Sequence, residues 1–106
     1  MIKTKAQYEA RAQIAKALAH PTRLLLLDAL LDQALCVCEM TELVGADQST
    51  VSKHLAILKD SGFLEIEKKG SMNFYSIRCQ CLDQFFGCIE SVLHQKVQAQ
   101  QELIQI

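Results

Sequence analysis

The sequence predicts a mainly helical domain with one β-hairpin, and three observations support this prediction. The chain has 106 residues, the size of one ordinary domain, and half of them are hydrophobic, so it can bury a core. Several stretches carry apolar residues at helical spacing, and glycine stands where such stretches end. Two strand-like runs joined by a short glycine-containing turn follow these stretches.

The helical pattern predicts five helices. They cover residues 4–18, a segment starting at Pro21, and residues 38–44, 49–60 and 82–103. Pro21 suits a first helical position, where the missing N–H is not needed. The leucine run at 24–27 is apolar almost all round, which indicates a central core helix. Helix 4–18 has a weak apolar stripe, so we expect it to pack on another helix.

The hairpin is predicted from residues 63–68 and 73–78, which surround a turn at 69–72. Residues 63–68 alternate between apolar and polar side chains, as a half-buried strand does. The last helix carries a broad apolar stripe: Leu82, Phe85, Phe86, Ile89, Val92, Leu93 and Val97. Such a stripe at the end of a small domain predicts burial against a partner subunit.

Charge and composition narrow the function classes. The formal net charge is −1, which by itself gives no support for nucleic-acid binding. Residues 48–78 nevertheless hold five basic and three acidic side chains, a local charge of +2, which permits a basic face. The sequence shows neither a signal peptide nor an apolar run long enough to span a bilayer, so we expect a cytoplasmic protein without a membrane partner.

An enzyme is not expected. No Ser/His/Asp arrangement or carboxylate pair is readable, and a thiol oxidoreductase would need Cys-x-x-Cys and a βαβ pattern, which are missing.

Two short helices joined by a glycine-containing turn and followed by a hairpin match the winged helix-turn-helix plan. Helix 49–60 buries Val51, Leu55 and Leu58 and offers its other side to a DNA major groove. Small polar residues at its start suit close approach to bases and phosphates. The candidate DNA-binding residues are Gln48, Ser49, Thr50, Ser52, Lys53 and His54 on the helix, with Lys68, Lys69 and Ser71 at the hairpin tip. The alternatives are a helical bundle with a solvated polar face and an interaction domain that has lost its DNA contacts.

Cys36 and Cys38 form a Cys-x-Cys pair just before helix 38–44, and they are the primary candidate metal ligands. In extended or first-turn geometry both sulfurs can face one ion. The nearby helix N-terminus is expected to lower the pKa of these thiols, and thiolates select soft ions such as arsenite, antimonite, cadmium and lead. The alternatives are two small buried hydrophobic residues and a redox or reactive-sulfur switch.

Three further cysteines are candidate additional ligands. Cys79 and Cys81 form a second Cys-x-Cys pair, which is either a site or without function. Cys88 lies two helical turns, about 10 Å of rise, beyond Cys81, so these two cannot share an ion within one chain. For Cys88 we expect core packing beside Ile89 and Val92, or else contact with its symmetry mate in a dimer.

Four segments of the chain, residues 17–24, 35–40, 48–55 and 69–75, resemble the ArsR/SmtB family of metal-responsive repressors. The similarity spans nearly the whole chain in order. It implies a homodimer that binds double-stranded operator DNA through recognition helix 49–60 and leaves it when a toxic thiophilic ion binds. It also implies one domain, 1–106, with dimerisation helices at 1–20 and 82–106, the helix-turn-helix at 38–60 and the wing at 63–78.

The sequence departs from the family pattern at two places. Arsenic sensors of the family often have a third cysteine three residues after the pair, where this chain has Thr41. The third ligand for arsenite would then come from another cysteine of either subunit, from solvent or from a small thiol. Zinc sensors use acidic and histidine residues of the last helix. Asp83, Glu90 and His94 are present, but Phe85 stands where a second ligand is needed, so we discount zinc there. His20, which precedes Pro21, is expected to be a helix-capping or packing residue and not a metal ligand.

Overall fold

The computed structural model describes residues 2–104. Between these residues the chain forms five helices and three strands. The helices are α1 (Lys5–Leu18), α2 (Pro21–Leu30), α3 (Val37–Val44), α4 (Gln48–Asp60) and α5 (Leu82–Ile104), and the strands are β1 (Leu35–Cys36), β2 (Leu64–Lys69) and β3 (Met72–Ile77). The predicted helix boundaries lie within one residue of the observed ones. The predicted winged helix-turn-helix fold is confirmed.

The sheet has one strand more than the predicted hairpin. Its order is β1-β3-β2, and both neighbouring pairs are antiparallel. In the short strand, Leu35 lies opposite Tyr75 and Cys36 lies opposite Phe74. A two-residue strand is too short to show alternation in the sequence, so only its pairing with β3 reveals it. This pairing ties the start of α3 to the middle strand of the wing.

The core lies between α2, α3, α4 and the base of the hairpin. Its fully buried side chains are Leu26, Leu27, Met40, Val51, Leu55, Leu58, Leu64 and Leu82. The prediction of α2 as the central core helix is confirmed, because three of its leucines are buried. Leu25 on the opposite side of α2 remains 42% exposed. On α4, the buried residues Val51, Leu55 and Leu58 anchor one face of the helix in the core, and the opposite face is left to solvent.

The hairpin extends past the core. Of the residues in β2 only Leu64 is buried, and Ile66 is 36% exposed despite the alternating pattern. Gly70 is the only residue of the turn with a positive φ, 65°, as a type II′ two-residue turn requires. The alternating pattern thus marks the strand correctly but overstates its burial, because nothing in the monomer covers the outer half of the hairpin.

The first and last helices are mostly exposed. Ala17 is the one buried residue of α1, and Leu82 is the one buried residue of α5. The exposed large apolar residues include Tyr8 and Ile14 on α1 and Phe85, Ile89, Val92, Leu93 and Val97 on α5. No helix in residues 2–104 combines the length and hydrophobicity needed to cross a bilayer. The predicted helical regions 1–20 and 82–106 include Met1, Gln105 and Ile106, which lie outside the described residues.

Candidate nucleic-acid interface and cysteine sites

The turn between α3 and α4 has the geometry that its sequence favours. Gly45 ends α3 in the left-handed region, with φ 76° and ψ 22°. Asp47 caps α4, because its carboxylate accepts hydrogen bonds from the Thr50 backbone N–H at 3.3 Å and the Ser49 hydroxyl at 3.0 Å. These bonds, that from Thr50 first, lower the pKa of Asp47. The cap fixes the entry angle of α4.

The two faces of α4 separate as the sequence predicts. Val51, Leu55 and Leu58 are fully buried, which confirms the predicted inner face. Ser49 and Lys53 are exposed and lie one turn apart, since residues four apart share a helix face. Gln48 and Thr50 are also exposed, and Ser52 is half-buried. The start of α4 therefore presents small polar side chains, free backbone N–H groups and one lysine to solvent.

His54 is less exposed than Ser49 and Lys53 on the same helix. Its ring lies 4.4 Å from the ring of His20, centroid to centroid, and it is half-buried. Burial, followed by the nearby charges of His20 and Arg23, lowers the pKa of His54. His20 itself caps α2, since its Nδ1 accepts the Thr22 backbone N–H at 3.1 Å. The expected capping role of His20 is thus observed, whereas His54 packs against that cap rather than standing free toward DNA or solvent.

The hairpin tip carries exposed cationic and polar groups. Lys68, Lys69 and Ser71 are all exposed. The Nζ of Lys69 lies 5.5 Å from the centroid of the Phe74 ring, within the range of a cation–π contact. Glu65 and Glu67 lie further back on the same strand, so positive charge is concentrated at the tip. Positively charged and polar side chains are therefore exposed both at this tip and at the start of α4.

Cys36 and Cys38 converge at the start of α3. Their Sγ atoms are 2.7 Å apart, although Cys36 is buried and Cys38 is exposed. Two sulfurs on a tetrahedral ion, each about 2.3 Å from it, stand about 3.8 Å apart, so the pair needs to open by about 1 Å to hold one. The Glu39 carboxylate accepts the Cys36 backbone N–H at 3.1 Å. The predicted convergence of this pair therefore agrees with the structure.

The acidity of Cys36 differs from the prediction. A neighbouring Cys38 thiol, together with burial, raises the pKa of Cys36, and these effects exceed the opposing backbone hydrogen bond at the start of the helix. The expected lowering by the helix N-terminus was therefore wrong for Cys36. Burial disfavours the charged thiolate, and a second thiolate so close would repel it, so both effects make the Cys36 thiol harder to ionise.

A cavity of about 230 Å³ joins the cysteine pair to the start of α4 and to the hairpin turn. It is lined by Cys36, Val37, Cys38, Gln48, Ser71, Met72 and Asn73. The first three residues belong to β1 and α3, Gln48 begins α4, and the others belong to the hairpin turn and β3. Sequence reasoning did not identify Glu39, Met72 and Asn73 as neighbours of the pair. The Cys-x-x-Glu spacing at 36–39 resembles a capping box and could have indicated Glu39.

The second cysteine pair, Cys79 and Cys81, lies between β3 and α5 and has a similar distance between its sulfurs. The Sγ atoms of Cys79 and Cys81 are 2.8 Å apart, with Cys79 half-buried and Cys81 exposed. The neighbouring Cys79 thiol raises the pKa of Cys81. Cys36 pairs with Phe74 in the sheet, and Cys79 lies five residues further, about 16 Å along an extended strand. The two pairs of one chain therefore cannot share an ion.

Among residues 2–104, a third protein ligand for Cys36 and Cys38 is not found. Within residues 2–104, no three His, Cys, Asp or Glu side chains are grouped to hold a metal ion. Among these residues, Cys79, Cys81 and Cys88 do not join Cys36 and Cys38 in such a group. Thr41, at the family's third cysteine position, has a buried hydroxyl without a hydrogen-bond partner. A three-coordinate ion at this pair would need solvent, a small thiol or another subunit.

Two expectations about α5 can also be compared with the structure. Cys88 is exposed within one chain, and Val92, one turn along the helix, is 57% exposed. The predicted packing of Cys88 in the core of one chain was therefore wrong, and its contact with a symmetry mate stays a prediction. Glu90 and His94 line an open surface together with Ser91, Gln95 and Gln98.

Comparisons with known proteins agree with this architecture. Residues 20–65 match the family model for bacterial regulatory proteins of the arsR family. Over 72 residues the chain is 42% identical to an uncharacterized HTH-type transcriptional regulator, MJ1325, of Methanocaldococcus jannaschii, covering 67% of this chain and 81% of that protein. It is 33% identical over 76 residues to the arsenical resistance operon repressor of Staphylococcus xylosus, covering 72% of this chain and 73% of that one.

Solved structures show the same fold. Rv0081 of Mycobacterium tuberculosis superposes with a TM-score of 0.83 at 26% identity, over 92% of this chain and 98% of that one. The homodimeric winged helix-turn-helix DNA-binding domain of Mb0332 from Mycobacterium bovis, a possible ArsR-family regulator, gives 0.77 at 25% identity, over 92% and 93% of the two chains. With its sequence relatives, its matching family model and its helix-turn-helix and wing, the chain belongs to the ArsR/SmtB family of transcriptional regulators.

Proposed function

We propose that this chain is a homodimeric repressor that binds operator DNA and is released from it when a trivalent arsenic species binds Cys36 and Cys38. The single observation that carries the proposal is the shared cavity. The two sulfurs lie in the same space as Gln48 at the start of α4 and Ser71 at the hairpin turn. An ion bound there changes the surroundings of both DNA-facing features at once.

The DNA-binding part rests on the exposed start of α4 and the basic hairpin tip. Ser49, Thr50 and the free N–H groups of the first turn suit phosphate oxygens, and Lys53 and Lys69 add positive charge. In this proposal residues 38–60 are the helix-turn-helix and residues 63–78 the wing. Gln48, Ser52, Lys68 and Ser71 complete the contact set, while the packing of His54 on His20 gives it a positioning role.

Dimerisation through α1 and α5 follows from their uncovered apolar side chains. Val92, Leu93 and Val97 are 57%, 56% and 50% exposed in the monomer. A contiguous apolar surface of this kind marks an interface, and the Mb0332 relative is itself homodimeric. Two recognition helices must enter successive major grooves about 34 Å apart, so the relative orientation of the two subunits decides whether DNA binds.

The arsenic part rests on the sulfur pair and on chemistry. Trivalent arsenic is soft and prefers thiolates, and the Staphylococcus xylosus relative is an arsenical resistance operon repressor. The pair supplies two thiolates, and the third position is left to hydroxide or a small thiol. Coupling between two sites typically changes affinity about 5- to 150-fold, so we expect arsenite to weaken operator binding within that range.

The experiment titrates reduced protein on its operator, selected from a random duplex library, with arsenite. We expect the Cys36→Ser/Cys38→Ser double variant to bind the operator as the wild type does but to ignore arsenite. Cys88→Ser is the matched control and should respond normally. A double variant that still responds to arsenite would assign sensing to another site.

A redox switch is the second candidate, because sulfurs 2.7 Å apart are placed to form a disulfide when an oxidant removes two electrons. Titrations with cadmium, zinc and peroxide on the same operator separate the two mechanisms. Release by peroxide, reversed by a reductant, together with no response to arsenite would favour the redox switch.

A further inference from the structure

The second cysteine pair occupies the junction between the wing and the last helix. Cys79 follows β3 and packs against the edge of the core, and Cys81 directly precedes the first residue of α5. Their sulfurs are 2.8 Å apart, and the Cys81 side chain is exposed, so a reagent from solvent can reach the pair. Nothing in the proposed operator release uses these two thiols.

The surroundings of this pair favour a ligand that needs only two protein sulfurs. A neighbouring cavity of about 320 Å³ is lined by Asp28, Asp32 and Asp83 together with Leu31, Ile77 and Gln80, but by neither cysteine. The carboxylates there do not form a three-ligand group with the thiols in the described part of the chain. A hard divalent ion would need such oxygens, whereas a soft ion that brings its own third substituent does not.

We propose that Cys79 and Cys81 form a second, independent dithiol site for trivalent arsenic, most suited to a mono-substituted arsenical. In the reaction two arsenic–sulfur bonds form and the arsenic–oxygen double bond of the arsenoxide breaks. The two thiol protons leave with the oxygen as one water, and arsenic remains trivalent with its organic substituent as the third ligand. No oxidant or reductant is required.

Occupation of this site fixes the segment that leads into α5. The carbonyl oxygens of Cys79 and Cys81 accept the first hydrogen bonds of that helix, from the Leu82 N–H at 3.4 Å and the Phe85 N–H at 3.2 Å. A bridge between the two side chains holds these carbonyls in place. We therefore expect slower amide hydrogen exchange in the first turn of α5 when the site is filled.

The test counts bound phenylarsine oxide on the reduced full chain by native mass spectrometry, without DNA. The reagent needs two thiols, so replacing one cysteine of a pair prevents that pair from binding it. The exposed cysteine of each pair is the one replaced, because its substitution carries little risk to the fold. We expect two adducts per protomer for the wild type and for Cys88→Ser. Cys38→Ser and Cys81→Ser should each bind one, and Cys38→Ser/Cys81→Ser none.

The counts separate this proposal from the proposed function. One adduct on the wild type that survives Cys38→Ser and disappears with Cys81→Ser would support the second site and contradict arsenic binding at Cys36 and Cys38. One adduct that survives Cys81→Ser and disappears with Cys38→Ser would overturn the second site. Hydrogen exchange at residues 82–86 of Cys38→Ser that is unchanged by the arsenical would refute the stabilisation of α5.

Discussion

Replacing Lys53 by alanine tests where the duplex lies on this protein. Lys53 is exposed on α4, on the same face as Ser49 and opposite the buried Leu55. Each lysine that neutralises one phosphate contributes about 0.9 to the slope of log affinity against log salt concentration. A homodimer carries the substitution twice, so Lys53→Ala should reduce the magnitude of that slope by about 1.8.

The measurement is fluorescence anisotropy of labelled operator at a series of potassium chloride concentrations. Lys69→Ala at the hairpin tip should reduce the slope by the same amount. Lys96→Ala removes the same charge from the distal half of α5 and is the matched control, expected to leave the slope unchanged. An unchanged slope for Lys53→Ala would refute the placement of α4, and equal losses in all three variants would show a long-range charge effect instead of phosphate contact.

Three further predictions concern the contacts that hold α3 and α4 in place. Leu55→Ala removes a side chain that is 0% exposed and should cost about 2–5 kcal/mol of unfolding free energy in urea, whereas Ile57→Ala, 41% exposed on the same helix, should cost clearly less; equal costs would contradict the assigned inner face. Asp47→Ala should lower the urea midpoint more than Asp47→Asn, because asparagine keeps an acceptor for the Thr50 N–H; identical midpoints would show that the cap contributes nothing. The hydrogen bond from the Cys36 backbone lowers the pKa of Glu39 below its ordinary 4.5, so its stabilising effect is present above pH 4.5 and is lost as pH falls through the folded-state pKa. Acid unfolding monitored by circular dichroism should therefore be less steep below pH 4.5 in Glu39→Gln than in the wild type, and parallel curves would argue against this role.

The sequence was sufficient for the helices because their boundaries are local. Pro21, Gly45 and the cap at Asp47 act through the backbone of their own segments, and each is recognisable within a few residues. The inner face of α4 could likewise be predicted, since helical spacing alone places Val51 and Leu55 together. Side-chain burial in the outer hairpin could not, because alternation does not reveal how far a strand reaches beyond its core.

The site could be predicted only in part, because it depends on contacts between distant segments. The convergence of each Cys-x-Cys pair follows from local geometry. The neighbours of Cys36 do not, because the cavity joins residues 36–38 to Gln48 and to residues 71–73 across the fold. The position of His54 on His20 depends in the same way on how α4 crosses the start of α2. The pKa of Cys36 was mispredicted because the helix terminus was considered without the second thiol.

Strand β1 has a consequence for how such a regulator can change its specificity. Its link to the wing is a backbone pairing, with Cys36 opposite Phe74, whose ring in turn contacts Lys69. A backbone pairing does not depend on which small side chain occupies the position. If positions 36 and 38 sense the signal as proposed, other side chains there can respond to a different signal while the backbone pairing between β1 and the wing stays the same.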